Sequence, residues 1–243
     1  MKSNSFYHKN EFRNYYAMKK IICSIAIIAT LGIYSSSYAQ KLMLGPRFGM
    51  DIATVAWDSA AQFIKPATTI GLIAGGQLDV WFNDHVALST GLLLNQKGWT
   101  VESYDPDNFT LEYIEIPILI KVALGTGNFQ PYVFAGPSIG YMFLGYTRSQ
   151  AIGTLNINEL VNTIDFSIVG GAGVAYNLPS GTQILVDAGY AYGLVNILNE
   201  KGVNSDANSY ALLGYGPPLG YGSMPGVYKT RDIRIAAGVL FPI

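Results

Sequence analysis

Histidine, the side chain that most often transfers protons near neutral pH, is scarce in this chain. After residue 39 the only histidine among the 243 residues is His85, in the short polar segment Asn83-Asp84-His85. A hydrolase would need a nucleophile and an orienting carboxylate beside that imidazole. A short segment of Asn and Asp is instead typical of a solvated turn. We therefore expect no histidine-based catalysis and no enzymatic activity.

Motifs for metals and cofactors are equally weak. The single cysteine, Cys23, lies near the N-terminus, so the sequence after residue 39 offers no disulfide and no thiolate metal site. The acidic run Asp105–Asn108 offers oxygen ligands of the kind that calcium prefers, but Asp-Pro-Asp-Asn is more typical of a turn. The glycines Gly170–Gly173 are followed by no lysine or helix, so we expect a close backbone approach within a strand rather than a phosphate loop. We expect no metal and no cofactor.

Charged residues at alternating positions of apolar segments are the remaining candidate site. Strand residues two apart point to the same face, so these side chains share one face of each segment. Four are positive and six are negative: Arg47, Asp51, Asp79, Lys97, Glu115, Lys121, Asp165, Asp187, Asp232 and Arg234. We expect them to form a salt-bridge network inside a closed sheet. A narrow ion or proton path and carboxylate catalysis are the two alternatives.

Eight segments carry this period-two alternation, which predicts strands. In the last one, Ile233, Ile235 and Val239 alternate with Asp232 and Arg234. The eight are Leu42–Asp51, Thr68–Phe82, Val86–Trp99, Leu111–Leu124, Phe129–Phe143, Ile164–Leu178, Thr182–Ile197 and Arg231–Ile243. The faces opposite the charges are continuously apolar, which suits contact with lipid.

The connections between these segments alternate in length. Asn83–His85, Gly125–Asn128 and Pro179–Gly181 are short, whereas residues 52–67, 100–110, 144–163 and 198–230 form long connections. Bacterial outer-membrane barrels have this pattern, with short periplasmic turns and long extracellular loops. In hydrocarbon every backbone group must pair, and a closed barrel achieves this with strands. We therefore predict an all-β fold, an eight-stranded antiparallel transmembrane β-barrel.

Composition supports a membrane barrel over the alternative of a soluble lipocalin-like barrel. Charged residues make up 13% of the chain, against about 25% in a typical soluble domain. Aromatic residues near the segment ends suggest interfacial girdles. One girdle would hold Trp81, Phe82, Phe129, Tyr176 and Phe241, and the other would hold Trp99, Tyr113, Tyr141, Phe143 and Tyr192.

The N-terminus has the features of a secretory signal peptide. Met18-Lys19-Lys20 precedes the apolar run Ile21–Tyr34, which is too short to span a bilayer, and Ala39 closes a small-residue cleavage site. We assign residues 1–17 to an upstream extension, residues 18–39 to the signal peptide and residues 40–243 to the barrel domain. The full chain has 15 basic and 16 acidic residues and its first 39 residues hold five and one, so the barrel domain has 10 and 15 and carries a net charge of −5. This charge excludes nucleic acid as a partner.

The last long connection is the best candidate for a contact surface. Residues 207–228 carry no charge and are rich in Tyr, Gly, Ser and Pro. Tyrosines supply large contact areas with a polar tip, and interfaces are enriched in them. We expect contacts from Tyr210, Tyr215, Tyr221 and Tyr228, with a simple cap over the barrel as the alternative.

Several stretches between residues 40 and 243 resemble the PorT-like outer-membrane β-barrel family of Gram-negative bacteria: LGPRFGMD, LEYIEIPILIK, PYVFAGPSIGY, DAGYAYGLVNI and RIAAGVLF. Glu115, Pro117 and Lys121 are the most specific positions, because a proline flanked by inward charges is uncommon in a strand. The resemblance implies an eight-stranded, porin-like barrel without enzymatic activity. Family members share no single defined function, although some are associated with protein secretion. The ending Phe241-Pro242-Ile243 departs from the terminal aromatic residue of many such barrels.

The sequence thus favours an integral outer-membrane protein with a structural or interaction role. The family resemblance adds the prediction of an accessory to secretion machinery. Its partners would be outer-membrane lipid and a protein that contacts the extracellular loops, and the barrel would be monomeric. A small porin-like channel for ions or solutes is the alternative function. Conductance across a planar bilayer separates the two.

Overall fold

A computed structural model describes residues 41–58, 66–101, 107–149, 153–199 and 227–243. Residues 41–243 belong to one compact unit. The upstream extension at 1–17, the signal peptide at 18–39 and three of the loop tyrosines, Tyr210, Tyr215 and Tyr221, lie outside the described residues. Asp105 and Pro106 of the acidic run Asp105–Asn108 lie outside them as well.

The described residues form nine strands, and eight of them correspond to the eight predicted segments. They are β1 (Lys41–Asp58), β2 (Pro66–Trp81), β3 (Val86–Val101), β4 (Asp107–Ala123), β5 (Phe129–Ser149), β6 (Gly153–Asn156), β7 (Ile164–Asn177), β8 (Gln183–Gly193) and β9 (Val227–Pro242). The extra strand, β6, lies in a predicted long connection and is too short to show a period. Most strands extend further into the long connections than predicted, but β8 ends at Gly193 rather than Ile197.

The strands close into a barrel. Their order in the sheet is β4-β3-β2-β1-β9-β8-β7-β5, and the β4–β5 pairing joins the two ends. Every pairing is antiparallel. The predicted eight-stranded antiparallel barrel is therefore confirmed. β6 pairs only with the end of β5, between Tyr146 and Ser149. Among the described residues, no helix is long and apolar enough to cross a membrane.

The outer face of the barrel is apolar. Large side chains that a soluble protein would bury are exposed here, such as Ile70 at 66%, Phe48 at 61% and Leu92 at 59%. Exposed apolar patches this extensive mark a surface that is covered by another phase. Hydrocarbon is that phase, since each strand alternates lipid-facing and lumen-facing residues in barrels of this kind.

Three aromatic residues that the sequence places in the girdles lie inside the barrel instead, so the girdle prediction is wrong for them. Trp81, Trp99 and Tyr113 are 6%, 4% and 0% exposed. Each has the parity of the inward charges on its own strand, and their nearness to strand ends does not alter that parity. The remaining large aromatic residues of the two girdles do face outward, including Phe129 at 62% and Tyr141 at 52%.

The two rims of the barrel differ. At the short-turn rim, which we define by the connections 82–85, 124–128 and 178–182, Asn83 Oδ1 accepts hydrogen bonds from the backbone N–H groups of His85 and Val86. Gly181 has φ near 84°, a left-handed conformation that favours glycine. His85 is exposed in its turn, as the sequence predicts.

At the opposite, long-loop rim, irregular chain replaces strands above β7 and β8. Residues 157–163 and 194–199 run side by side there, joined by an isolated bridge between Val161 and Leu198. Asparagine side chains supply the other links. The Asn162 amide donates to the carbonyls of Asn196 and Leu198 at 2.8 and 2.9 Å, and Asn196 Oδ1 accepts from the Tyr228 N–H at 3.0 Å.

We predict that the long-loop rim faces the cell exterior. Cysteine replacing Asn108 or Asn156, which are exposed near that rim, should react with an impermeant thiol reagent on intact cells. Cysteine replacing Asn128, exposed in a short turn, is the matched control and should react only after the outer membrane is opened. Reaction of the Asn128 variant alone on intact cells would reverse the topology.

Candidate functional site in the barrel lumen

The ten charged residues that parity groups together all point into the lumen. Nine have at most 8% of their surface exposed, and the side chain of Arg47 is 15% exposed. They form seven ion pairs and divide into two groups along the barrel axis. Each pair joins side chains of opposite sign, which is the arrangement that makes buried charge tolerable.

The lower charge cluster lies nearer the short-turn rim and is fully connected. Its members are Arg47, Gln77, Asp79, Ser89, Lys121, Tyr132 and Asp187. Arg47 binds Asp187 in a bidentate pair, with contacts of 2.5 and 2.9 Å, and also donates to Gln77 at 2.8 Å. Gln77 donates in turn to Asp79 at 2.8 Å. Two cations face two carboxylates, so the cluster is electrically balanced.

Lys121 completes the lower charge cluster. Its ammonium nitrogen lies 2.8 Å from Asp79 Oδ2 and 4.2 Å from the centre of the Tyr132 ring. The Tyr132 hydroxyl donates to Asp187 at 2.6 Å. The lysine thus receives an ion pair and a cation–π contact together, and the latter is strongest where water is excluded.

The upper charge cluster lies nearer the long-loop rim. Its members are Asp51, Asn95, Lys97, Tyr113, Glu115, Ser138, Asp165, Asp232 and Arg234. Lys97 pairs with Asp165 at 3.0 Å and with Asp232 at 3.2 Å. Arg234 pairs with Glu115 at 3.0 Å, with Asp232 at 3.4 Å and, through Nε, with Asp51 at 3.5 Å.

Glu115 joins four strands at a weak point of the wall. Pro117 has no N–H for the ladder, and the pairing of β4 skips Ile116 and Pro117 on the β3 side and Ile118 and Leu119 on the β5 side. At this level the Glu115 carboxylate on β4 accepts hydrogen bonds from β3, β5 and β9. The donors, at 2.8, 2.7 and 3.0 Å, are Asn95, Ser138 and Arg234.

Apolar side chains close the lumen above and below the charges. The upper apolar cluster consists of Val55, Trp99, Phe109, Leu111, Tyr113, Met142, Ile157, Leu160, Val161, Ile197 and Tyr228. The lower apolar cluster includes Met43, Trp81, Ala87, Ala123, Tyr132, Phe134 and Leu240. Trp99 stacks on Phe109 with ring centres 4.8 Å apart. Neither cluster offers a hydrated ion a polar path.

A small cavity remains between the clusters. Its volume is about 50 Å³, and its lining includes Arg47, Asn95, Glu115, Lys121 and Arg234. A space of this size holds a few water molecules at roughly 10–15 Å³ each. This cavity therefore has room for internal water rather than for a larger solute.

Other candidate residues of the sequence do not converge on a site. Among the described residues, no three His, Cys, Asp or Glu side chains are placed to hold a metal ion. Gly171 sits in β7, where an added Cβ would lie 2.4 Å from the carbonyl oxygen of Ala188, so this glycine permits a close backbone approach.

Tyr228 requires a correction. The sequence places it among the loop contacts, but it lies in β9 and its side chain is 5% exposed within the upper apolar cluster. It shares the inward parity of Thr230, Asp232 and Arg234, because β9 begins earlier than predicted. The side chain of Tyr228 therefore contributes to the closure of the lumen rather than to an outer surface.

The family of the chain follows from a match to a family model described as "Outer membrane protein beta-barrel domain", over residues 38–199. The match covers about two thirds of the chain. The chain belongs to this family. It is an integral outer-membrane β-barrel protein, as the alternation and loop lengths predict, and its apolar outer face contacts outer-membrane lipid.

Several solved structures are similar to the chain over most of their own length. Ail of Yersinia pestis, in complex with the heparin analogue sucrose octasulfate, is 14% identical with a TM-score of 0.42, over 83% of this chain and 99% of that one. OprG of Pseudomonas aeruginosa is 11% identical with a TM-score of 0.46, over 84% and 96%. Neisserial surface protein A is 15% identical with a TM-score of 0.41, over 82% and 97%. No curated protein matches the chain significantly.

We predict that Glu115→Gln destabilises the barrel by about 3 kcal/mol, because it removes a buried charge from Arg234 and weakens the link across the Pro117 gap. Urea unfolding in lipid vesicles measures the change. Glu112→Gln is the matched control, since Glu112 lies on the same strand and faces outward; it should change stability by less than about 0.5 kcal/mol. Equal effects of the two substitutions would show that the link contributes nothing.

Proposed function

We propose that this protein is a non-conducting, non-enzymatic barrel that acts through its extracellular end, where the long loops meet a protein partner. The observation that carries the proposal is the closed lumen. Paired charges fill its middle, and an apolar cluster lies at each end. With the wall facing lipid and the interior packed, the long-loop rim is the surface with freedom to recognise a partner.

Two features support a protein as that partner. The uncharged segment 207–226 offers Tyr210, Tyr215 and Tyr221, and its prolines lower the entropy lost when it docks. The resemblance of LEYIEIPILIK and the neighbouring stretches to PorT-like barrels supports a place beside protein-secretion machinery. A closed barrel satisfies its own strand edges, which supports a monomer.

The alternative function, a small porin-like channel, has one observation in its favour. Charged side chains reach the cavity, with Arg47, Lys121 and Glu115 in its lining. Its volume of about 50 Å³ is nevertheless too small for a continuous water column, and the apolar clusters separate it from both rims.

Conductance distinguishes these functions. The purified protein in a planar bilayer should show no steady conductance, because an ion would have to shed its water to pass the apolar clusters. A porin of known conductance in the same bilayer serves as the control for insertion. Reproducible, ion-selective currents from the unmodified protein would replace the proposal with the channel.

Deletion of residues 207–226 tests the loop. The variant keeps Tyr228, which belongs to the barrel interior, so it should still fold and show heat-modifiable migration, since strand pairing depends only weakly on loop length. It should lose cross-linking to its partner in native membranes. A triple substitution of Tyr210, Tyr215 and Tyr221 to Ser keeps the loop length and should lose the same cross-links. Undiminished cross-linking by both variants would show that the loop is only a cap.

A further inference from the structure

The upper charge cluster is not electrically balanced. Lys97 and Arg234 provide two positive charges, whereas four carboxylates face them: Asp51, Glu115, Asp165 and Asp232. None of these four carboxylate residues is more than 3% exposed. An uncompensated charge in such a place costs several kcal/mol. The lower charge cluster, with two cations and two carboxylates, has no such excess.

Hydrogen bonding in the upper charge cluster shows the same excess of acceptors. Both oxygens of Asp51, one oxygen each of Asp165 and Asp232, and Asn95 Oδ1 are buried without a donor. Two donor atoms of the cluster, Tyr113 Oη and Arg234 Nε, also have no hydrogen-bond partner, and the latter lies 3.5 Å from Asp51. Five acceptor atoms without a partner are therefore matched by two such donor atoms. No member of the lower charge cluster is left without a partner in this way.

Asn95 provides a second reason to expect a cation in the upper charge cluster, and this reason does not depend on acidic residues. It is 2% exposed, and its amide nitrogen donates to Glu115 Oε2 at 2.8 Å, so the side chain is held within the upper charge cluster. Its carbonyl oxygen is consequently fixed there without a donor. A neutral oxygen fixed beside excess carboxylates suits a positively charged ligand.

Asp51 and Asp232 locate that ligand. In the β1–β9 pairing Asp51 lies opposite Arg234, and Ala53 lies opposite Asp232. Asp51 and Asp232 are thus diagonal neighbours on one face, a separation that side chains can bridge. Arg234 contacts both carboxylates, but a single guanidinium cannot neutralise the two together with Glu115.

We propose that the upper charge cluster binds a small cation, either a proton or an alkali-metal ion, beside Asp51 and Asp232 with Asn95 Oδ1 as a further oxygen. A proton on Asp51 would create the O–H donor that Asn95 Oδ1 lacks. An alkali-metal ion would instead take oxygens from two carboxylates and the amide. Such a site needs only two acidic groups, and the described residues contain no group of three that could hold a metal ion. The apolar clusters retain the ion in either case.

The substitution Asp51→Asn tests the site. It removes one excess charge and supplies an N–H that can meet Asn95 Oδ1, so the urea midpoint of unfolding, measured in N-methylglucamine chloride without sodium or potassium, should stay equal or rise. Asp79→Asn is the matched control. Asp79 is equally buried, but it accepts from Lys121, Gln77 and Ser89, so its loss should lower the midpoint clearly. If Asp51→Asn lowers the midpoint as much as Asp79→Asn does, the proposal is wrong.

Two further measurements identify the cation. If the cation is a proton, the unmodified protein should show the infrared carbonyl band of a buried carboxylic acid. That band should disappear in the Asp51→Asn variant. An alkali-metal ion predicts no such band, but an unfolding midpoint that rises with sodium or potassium chloride and not with N-methylglucamine chloride at equal ionic strength. The Asp51→Asn variant should lose that dependence. Absence of both signatures would overturn the proposal.

Discussion

The backbone of β4 sets the constraint on which the rest of the interior depends. In hydrocarbon an unpaired peptide group costs several kcal/mol, so a barrel wall is expected to be a continuous ladder. At mid-height β4 lacks pairing with β3 at Ile116 and Pro117, and it lacks pairing with β5 at Ile118 and Leu119, next to Pro137 of β5. Glu115 lies next to the interruption and ties β4 to β3, β5 and β9 through one carboxylate. A charge inside the barrel therefore stabilises the wall where the backbone cannot.

That carboxylate also ties together the upper charge cluster. Once Glu115 is buried it requires Arg234, and Arg234 in turn lies within reach of Asp51 and Asp232. Lys97 then joins Asp232 to Asp165 across the lumen. Each ion of the upper charge cluster thus pairs with one neighbour and leaves another to be satisfied, whereas the lower charge cluster is connected and balanced separately. An eight-stranded barrel is just wide enough for such a packed core.

Parity along each strand is the part of this arrangement that sequence predicts well. A one-residue slip would turn every side chain to the other face, so alternation specifies which ten charges face inward. Alternation does not predict which charges pair with each other. Arg234 contacts Glu115, which is 119 residues away in sequence, because of the stagger of the closed sheet rather than any local pattern. Position along the strand suggests girdle sites for Trp81, Trp99 and Tyr113, but their parity turns them inward. The asparagine-linked segments above β7 and β8 have no period to detect.

The three surfaces of this barrel are under unequal constraint, and that inequality supports the proposed role of the long-loop rim. The outer wall must be apolar at every second residue, and the lumen must balance charge in a space with room for a few waters. At the short-turn rim the connections are only long enough to reverse the chain, and Asn83 uses its side chain to do so. The long-loop rim alone carries more chain than closure requires. There, irregular segments held by Asn162 and Asn196 lie over the lumen, so the proposed recognition by residues 207–226 would not be needed to close it.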